Sequence, residues 1–130
     1  WLDAIEANRP PLIFGDGTQS MDFVYVADVA RANILAAQSD VTDEVFNVGT
    51  GRQTSLRELC DLVIHLTNSP MRPEYREARK VANVQARRAA TEKASKLLGF
   101  EAKVSLADGL EELIRWRESA KAAPAVVEAL

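Results

Sequence analysis

The sequence predicts an α/β chain in which short strands alternate with about four to five helices. Three observations carry this. Leu12-Ile13-Phe14 is an apolar run closed by the turn residues Gly15-Asp16-Gly17. Glu44-Val45-Phe46-Asn47-Val48-Gly49-Thr50-Gly51 repeats that order, an apolar run and then a glycine turn ahead of a new helix. Ser55-x-x-Glu58 and Ser105-x-x-Asp108 each set a hydroxyl cap and an acid in front of a helical apolar pattern.

The elements follow in order. Residues 1–8 read as the end of a helix, stopped by Pro10-Pro11 because the residue before a proline leaves the helical region. Leu12 to Phe14 is the first strand. Residues 22–26, Asp-Phe-Val-Tyr-Val, read as a second strand from their β-branched and aromatic content. Asp28 reads as the cap of a helix running to about Gln38. Val29, Ala30, Ala32, Ile34, Leu35, Ala36 and Ala37 leave that helix almost no polar face, which predicts burial on more than one side. Residues 45–48 lack polar alternation except at Asn47, the pattern of an interior strand of a parallel sheet.

Leu56, Leu59, Cys60 and Val63 recur at helical spacing after the Ser55 cap, and Asn68-Ser69-Pro70 ends that helix. Residues 70–90 read as irregular and basic, with short strands. Thr91 starts a short helix that closes at Gly99, a C′ glycine. The last helix gathers Leu106, Leu110, Leu113 and Ile114 on one face. From Ser119 the chain is Ala-rich and contains Pro124, which predicts a frayed tail. The expected organisation is therefore a body over residues 1–118 and a tail over 119–130.

Composition narrows the function. A 130-residue chain holds at most one domain, and can bury roughly two thirds of its unfolded surface. With 47% hydrophobic and 27% charged residues it has ordinary globular composition. A net charge of −3 argues against a nucleic-acid partner. No apolar run approaches the ~20 residues of a membrane helix, so no membrane partner is expected. The single cysteine, Cys60, excludes an internal disulfide, and no signal peptide is visible. A cytoplasmic location is the expectation. The chain opens with Trp1 in what reads as mid-helix, the mark of a piece of a longer protein.

Several residues carry chemistry in principle. Gly49-Thr50-Gly51 resembles the start of a dinucleotide fingerprint, but position 54 is Thr where a third glycine is needed. It reads as a strand-to-helix turn. Asp22 and Asp28 suggest a carboxylate pair, yet a helix cap accounts for Asp28 and pinning of a turn for Asp22. His65, the only histidine, has no nucleophile or carboxylate at useful spacing. Cys60 has core spacing and reads as an inert thiol. No metal-ligand spacing exists. Between Arg72 and Arg88 six cations (Arg72, Arg76, Arg79, Lys80, Arg87, Arg88) face only Glu74 and Glu77, a net +4 in an acidic chain. Such a run is ordinarily a solvated face, and Arg72 and Arg76 are read so.

Taken as a set, three strings resemble the C-terminal part of the extended short-chain dehydrogenase/reductase family. They are Gly15-Asp16-Gly17 followed by Asp22-Phe23-Val24-Tyr25-Val26 and Asp28-Val29, then Phe46-Asn47-Val48-Gly49-Thr50-Gly51, then Leu97-Leu98-Gly99-Phe100. That family contains the NAD-dependent nucleotide-sugar epimerases and dehydratases. The resemblance covers residues 1 to about 117 and implies the substrate-binding C-terminal portion of a Rossmann-type protein. It places the dinucleotide fingerprint and the Tyr-x-x-x-Lys catalytic pair upstream; neither appears here. By this reading a missing N-terminal Rossmann half binds NAD, and this chain contributes no catalytic and no cofactor-binding residue. Its ligand is a nucleotide-diphosphate sugar, its parent a homo-oligomer, and residues 45–48 belong to the Rossmann sheet.

The resemblance also assigns residues. The strand before the first glycine turn presents backbone groups to the nucleotide base, a role that falls on Leu12 and Phe14. Most members have Arg before the Asp-Phe pair, where it binds the substrate diphosphate; this chain has Met21, and Met cannot donate to phosphate. A second diphosphate arginine precedes an Ala-Asp-x-x-Lys-Ala motif, which Ala89-Ala90-Thr91-Glu92-Lys93-Ala94 resembles with Ala90 in place of Asp. Arg79 falls there, and Arg is the better bidentate ligand than the adjacent Lys80. Arg87 and Arg88 fall where the family contacts the sugar. The alternative is a non-catalytic nucleotide-binding or sensor module on the same scaffold.

Overall fold

The computed structural model describes residues 1–78 and 84–122. Among these are five helices and four short strands. Helix α1 (Leu2–Glu6) ends ahead of Asn8, whose left-handed backbone turns the chain into the two prolines. Strand β1 (Leu12–Phe14) pairs in parallel with β4 (Glu74–Arg76), Ile13 opposite Tyr75. Its central residue, Ile13, is fully buried. Strand β2 (Ser20–Met21) lies between two neighbours. Antiparallel β3 (Thr54–Ser55) is on one side, and a parallel bridge to Ala86 is on the other.

Helix α2 (Val26–Gln38) follows, and α3 (Leu56–Leu66) begins at the capping box. There Ser55 N–H donates to the Glu58 carboxylate at 2.8 Å and Glu58 N–H to Ser55 Oγ at 3.1 Å. Cys60 and Val63 are the buried residues of α3. Helix α4 (Glu92–Leu98) closes at Gly99, whose left-handed φ of 65° is cheap only without a Cβ. Helix α5 (Leu106–Ala122) opens with Asp108 N–H on Ser105 Oγ at 3.1 Å. It continues unbroken through Ser119, where the composition predicts fraying; residues 123–130 lie outside the described residues. Ala32, Ala94, Leu98 and Phe100 form a core cluster, with Leu35, Ala36, Phe46, Val48 and Ala102 packed on it.

Four expectations are corrected. Residues 22–26 form no strand: the ladder stops at Met21 and Val26 already begins α2. The Asp22 carboxylate holds this stretch by side-chain bonds instead of a strand partner. Asp28 does not cap α2. It sits inside the first turn, 2% exposed, and accepts from the backbone N–H groups of Lys103 and Val104 and from Arg31. Helix α2 is not buried all round, since only Asp28 and Ala32 are buried on it, while Val26 is 71% and Ile34 56% exposed. Residues 45–48 are not a strand either. Among the described residues nothing pairs with them, and Val45 is 83% exposed; an apolar run becomes a strand only against a partner.

Candidate functional site

The turn at residues 49–51 is built around Asp22. One carboxylate oxygen accepts Thr50 N–H at 2.9 Å and Thr50 Oγ1–H at 2.5 Å. The other accepts Gly51 N–H at 2.9 Å and Ala89 N–H at 3.2 Å. Burial pushes the Asp22 pKa up, but the bonds from Thr50, Ala89 and Gly51 outweigh it and hold the carboxyl below its usual range. Gly49 is required for the approach. A Cβ there would stand 2.5 Å from the Ala89 Cβ and 2.7 Å from Asp22 Oδ2. Asp22 thus pins the turn, as its spacing suggested, and has no lone pair left for catalysis.

An open cleft of about 600 Å³ lies against this clamp, lined by Met21, Asp22, Val48, Ala86, Arg87, Arg88 and Ala89. Three of the residues singled out from sequence, Met21, Arg87 and Arg88, therefore come together. Backbone pairing achieves this: Ser20 N–H donates to Gln85 O and Arg87 N–H to Ser20 O, both at 2.9 Å. Met21, Val48, Ala86 and Ala89 give the cleft an apolar floor, and the arginines are exposed at it. Among the described residues neither guanidinium is ion-paired, whereas Arg76 is spent on Glu74 at the surface. Arg79 lies outside the described residues.

Leu12 and Phe14 occupy the edge of β1 turned away from β4. The flanking ladder bonds, Glu74 N–H to Pro11 O and Gly15 N–H to Arg76 O, use the alternate residues. Two side chains that sequence reasoning passed over each donate to a carbonyl of this edge. Trp1 Nε1–H donates to Leu12 O at 2.6 Å, and Gln19 Nε2–H donates to Phe14 O at 3.3 Å. Nothing in their spacing signals it, because both contacts depend on how α1 and the glycine turn fold back on β1.

The other candidates are structural. Cys60 is buried in α3, and burial raises its pKa to about 11, far from a reactive thiolate. His65 is exposed in the last turn of α3. Asp28 holds the loop after Phe100 to α2: burial raises its pKa, while bonds from Val104, Lys103 and Arg31 win and lower it. Among the described residues no cluster of His, Cys, Asp or Glu is placed to hold a metal, and no helix is long and apolar enough to cross a membrane.

Residues 1–49 match the model of the NAD-dependent epimerase/dehydratase family. The chain is 33% identical over 114 residues to a UDP-glucose 4-epimerase of Mycolicibacterium smegmatis, covering 88% of this chain and 36% of the relative. The crystal structure of a UDP-glucose 4-epimerase from Thermotoga maritima with UDP-glucose superposes with a TM-score of 0.83 at 37% identity. That match covers 91% of this chain and 37% of the other. The chain belongs to the NAD-dependent epimerase/dehydratase family. A second solved structure, a UDP-glucuronic acid 4-epimerase from Bacillus cereus in complex with NAD, matches with a TM-score of 0.79 at 28% identity, over 96% of this chain and 39% of that one. Its fold is thus the α/β fold of Rossmann-type epimerases. The chain spans only 34–38% of the length of the curated relatives. The turn at residues 49–51 does not fit an NAD diphosphate. The one turn of fingerprint-like sequence spends the N–H groups of Thr50 and Gly51 on Asp22, leaving neither to cradle a phosphate.

Proposed function

We propose that this chain is the nucleotide-sugar-binding part of an NAD-dependent epimerase, with NAD held by a Rossmann half outside it. The observation that carries the reading is the cleft uniting Met21, Arg87 and Arg88. Guanidinium groups suit an oxyanion such as a diphosphate, bidentate and charge-assisted. The apolar floor excludes competing solvent from one side of the ligand. Leu12 and Phe14 meet the base with backbone groups, and Arg79 adds a further phosphate contact. Residues 1–118 serve as the binding portion and 119–130 as its tail. The protein acts in the cytoplasm as a homo-oligomer.

We assign the chemistry to the half outside this chain, because the sequence holds no Tyr-x-x-x-Lys pair and the turn at 49–51 spends its N–H groups on Asp22. Residues 1–130 alone therefore give no NAD-dependent turnover of a nucleotide sugar. In the full-length protein, Arg79→Ala weakens UDP-glucose binding by roughly 1.5–3 kcal/mol, the scale of a hydrogen bond to a charged group. His65→Ala changes it little. Titration calorimetry decides: the opposite order of effects, or turnover by the isolated chain, refutes the reading.

A further inference from the structure

The edge of β1 and the cleft at Met21 belong to separate sheets. Leu12 and Phe14 lie on β1, which pairs with β4, while Met21 lies on β2, which pairs with β3. The glycine turn at residues 15–19 joins the two. Arg57, in the first turn of α3, meets this joint from both sides. Its backbone N–H donates to Gly17 O at 3.1 Å, and the adjacent Leu56 N–H donates to Gln19 O at 2.8 Å. Carbonyls of the turn thus serve helix N–H groups that have no partner within α3. The Arg57 guanidinium donates to Asp16 O at 2.8 Å. It also lies 5.9 Å from the centre of the Tyr75 ring, within cation–π range. Tyr75 is the β4 residue paired with Ile13 of β1. The Asp16 carboxylate takes no part, since it accepts Thr18 N–H at 2.9 Å and Thr18 Oγ1–H at 2.6 Å. Gly17 shows how closely the pieces meet. A Cβ there would stand 3.3 Å from Ile13 Cγ2 and 3.4 Å from both Arg57 Cβ and Tyr75 Cε1.

We infer that Arg57 is a positioning residue. It fixes the β1–β4 pair against the β2–β3 pair, and with them the span between the edge that meets the base and the cleft that meets the diphosphate. The inference rests on the nucleotide-sugar reading above. Arg57 is exposed and outside the cleft lining, so it acts through the turn and not by touching the ligand. A ligand that engages both ends at once needs the span to be right, whereas one that engages a single end does not.

The test is calorimetry of the full-length protein with UDP, and with uridine and inorganic pyrophosphate in competition with UDP. Arg57→Ala weakens UDP by about threefold to tenfold, the range of one net hydrogen bond, and leaves uridine and pyrophosphate within about twofold. Arg57→Lys, which keeps the charge and a donor but not the planar fork, shows the same split to a smaller extent. Thermal melts accompany each titration, and Arg57→Lys carries the test if Arg57→Ala fails to fold. Simple loss of a positive charge would weaken pyrophosphate too, and a general loosening would weaken all three ligands. Either result overturns the proposal, as does a UDP affinity that neither variant changes. The two readings fail separately. A starting protein that binds UDP no better than pyrophosphate removes the nucleotide-sugar reading and this inference with it. UDP bound in preference to pyrophosphate, and alike by the starting protein and both variants, removes the positioning role alone.

Discussion

Replacing Asp22 with Asn tests whether one carboxylate fastens three segments that are distant in sequence. The carboxylate takes four donors, two from Thr50 on one oxygen and one each from Gly51 and Ala89 on the other. An asparagine has a single acceptor oxygen. Turned toward Thr50, it leaves the Gly51 and Ala89 N–H groups facing an NH2. A backbone donor left without its acceptor costs about 1–3 kcal/mol, less where water can reach it. Asp22 is half-buried, so two such donors, one of them in a longer bond, sum to about 2–4 kcal/mol. Native-state hydrogen exchange reads the effect locally: Gly51 and Ala89 amides exchange faster in Asp22→Asn, while Cys60 and Val63 in α3 do not. A urea midpoint lowered by the same amount supplies the global value. Unchanged protection at Gly51 and Ala89 would refute the clamp, whatever happened to overall stability.

Asp22 and Asp28 both have carboxyl pKa values below the ordinary 3.8 in the folded chain. A carboxyl depressed on folding adds stability above its unfolded pKa and surrenders it as pH falls through the folded value. Stability therefore declines from near pH 3.8 downward, and a urea midpoint that stays flat on acidification through that range contradicts both assignments. Gly49→Ala must displace Ala89 or Asp22 and costs about 1–3 kcal/mol by thermal melt, partly recovered by Ala89→Gly; an unshifted melt says the approach is looser than it looks. Cys60, its pKa near 11, resists iodoacetamide at mildly alkaline pH until the chain is denatured, and prompt labelling of the native protein would show an open thiol.

How much of this was legible differs by the range of the forces involved. The Ser55–Glu58 capping box, the Gly99 closure and the Leu12–Phe14 strand were readable because each rests on residues a few positions apart. Residues 22–26 and 45–48 carry strand composition and form none. A strand is a relation between two segments, and composition reports only one of them. Asp28 shows the same limit from the other side. Its position suited a cap, yet its carboxylate serves the backbone at Lys103 and Val104, which no local pattern announces.

The site divides along the same line. Met21, Arg87 and Arg88 could be named from their resemblance to a family motif, one residue at a time. That they share a cleft depends on a two-residue strand and one bridge, elements too short for any periodicity to reveal.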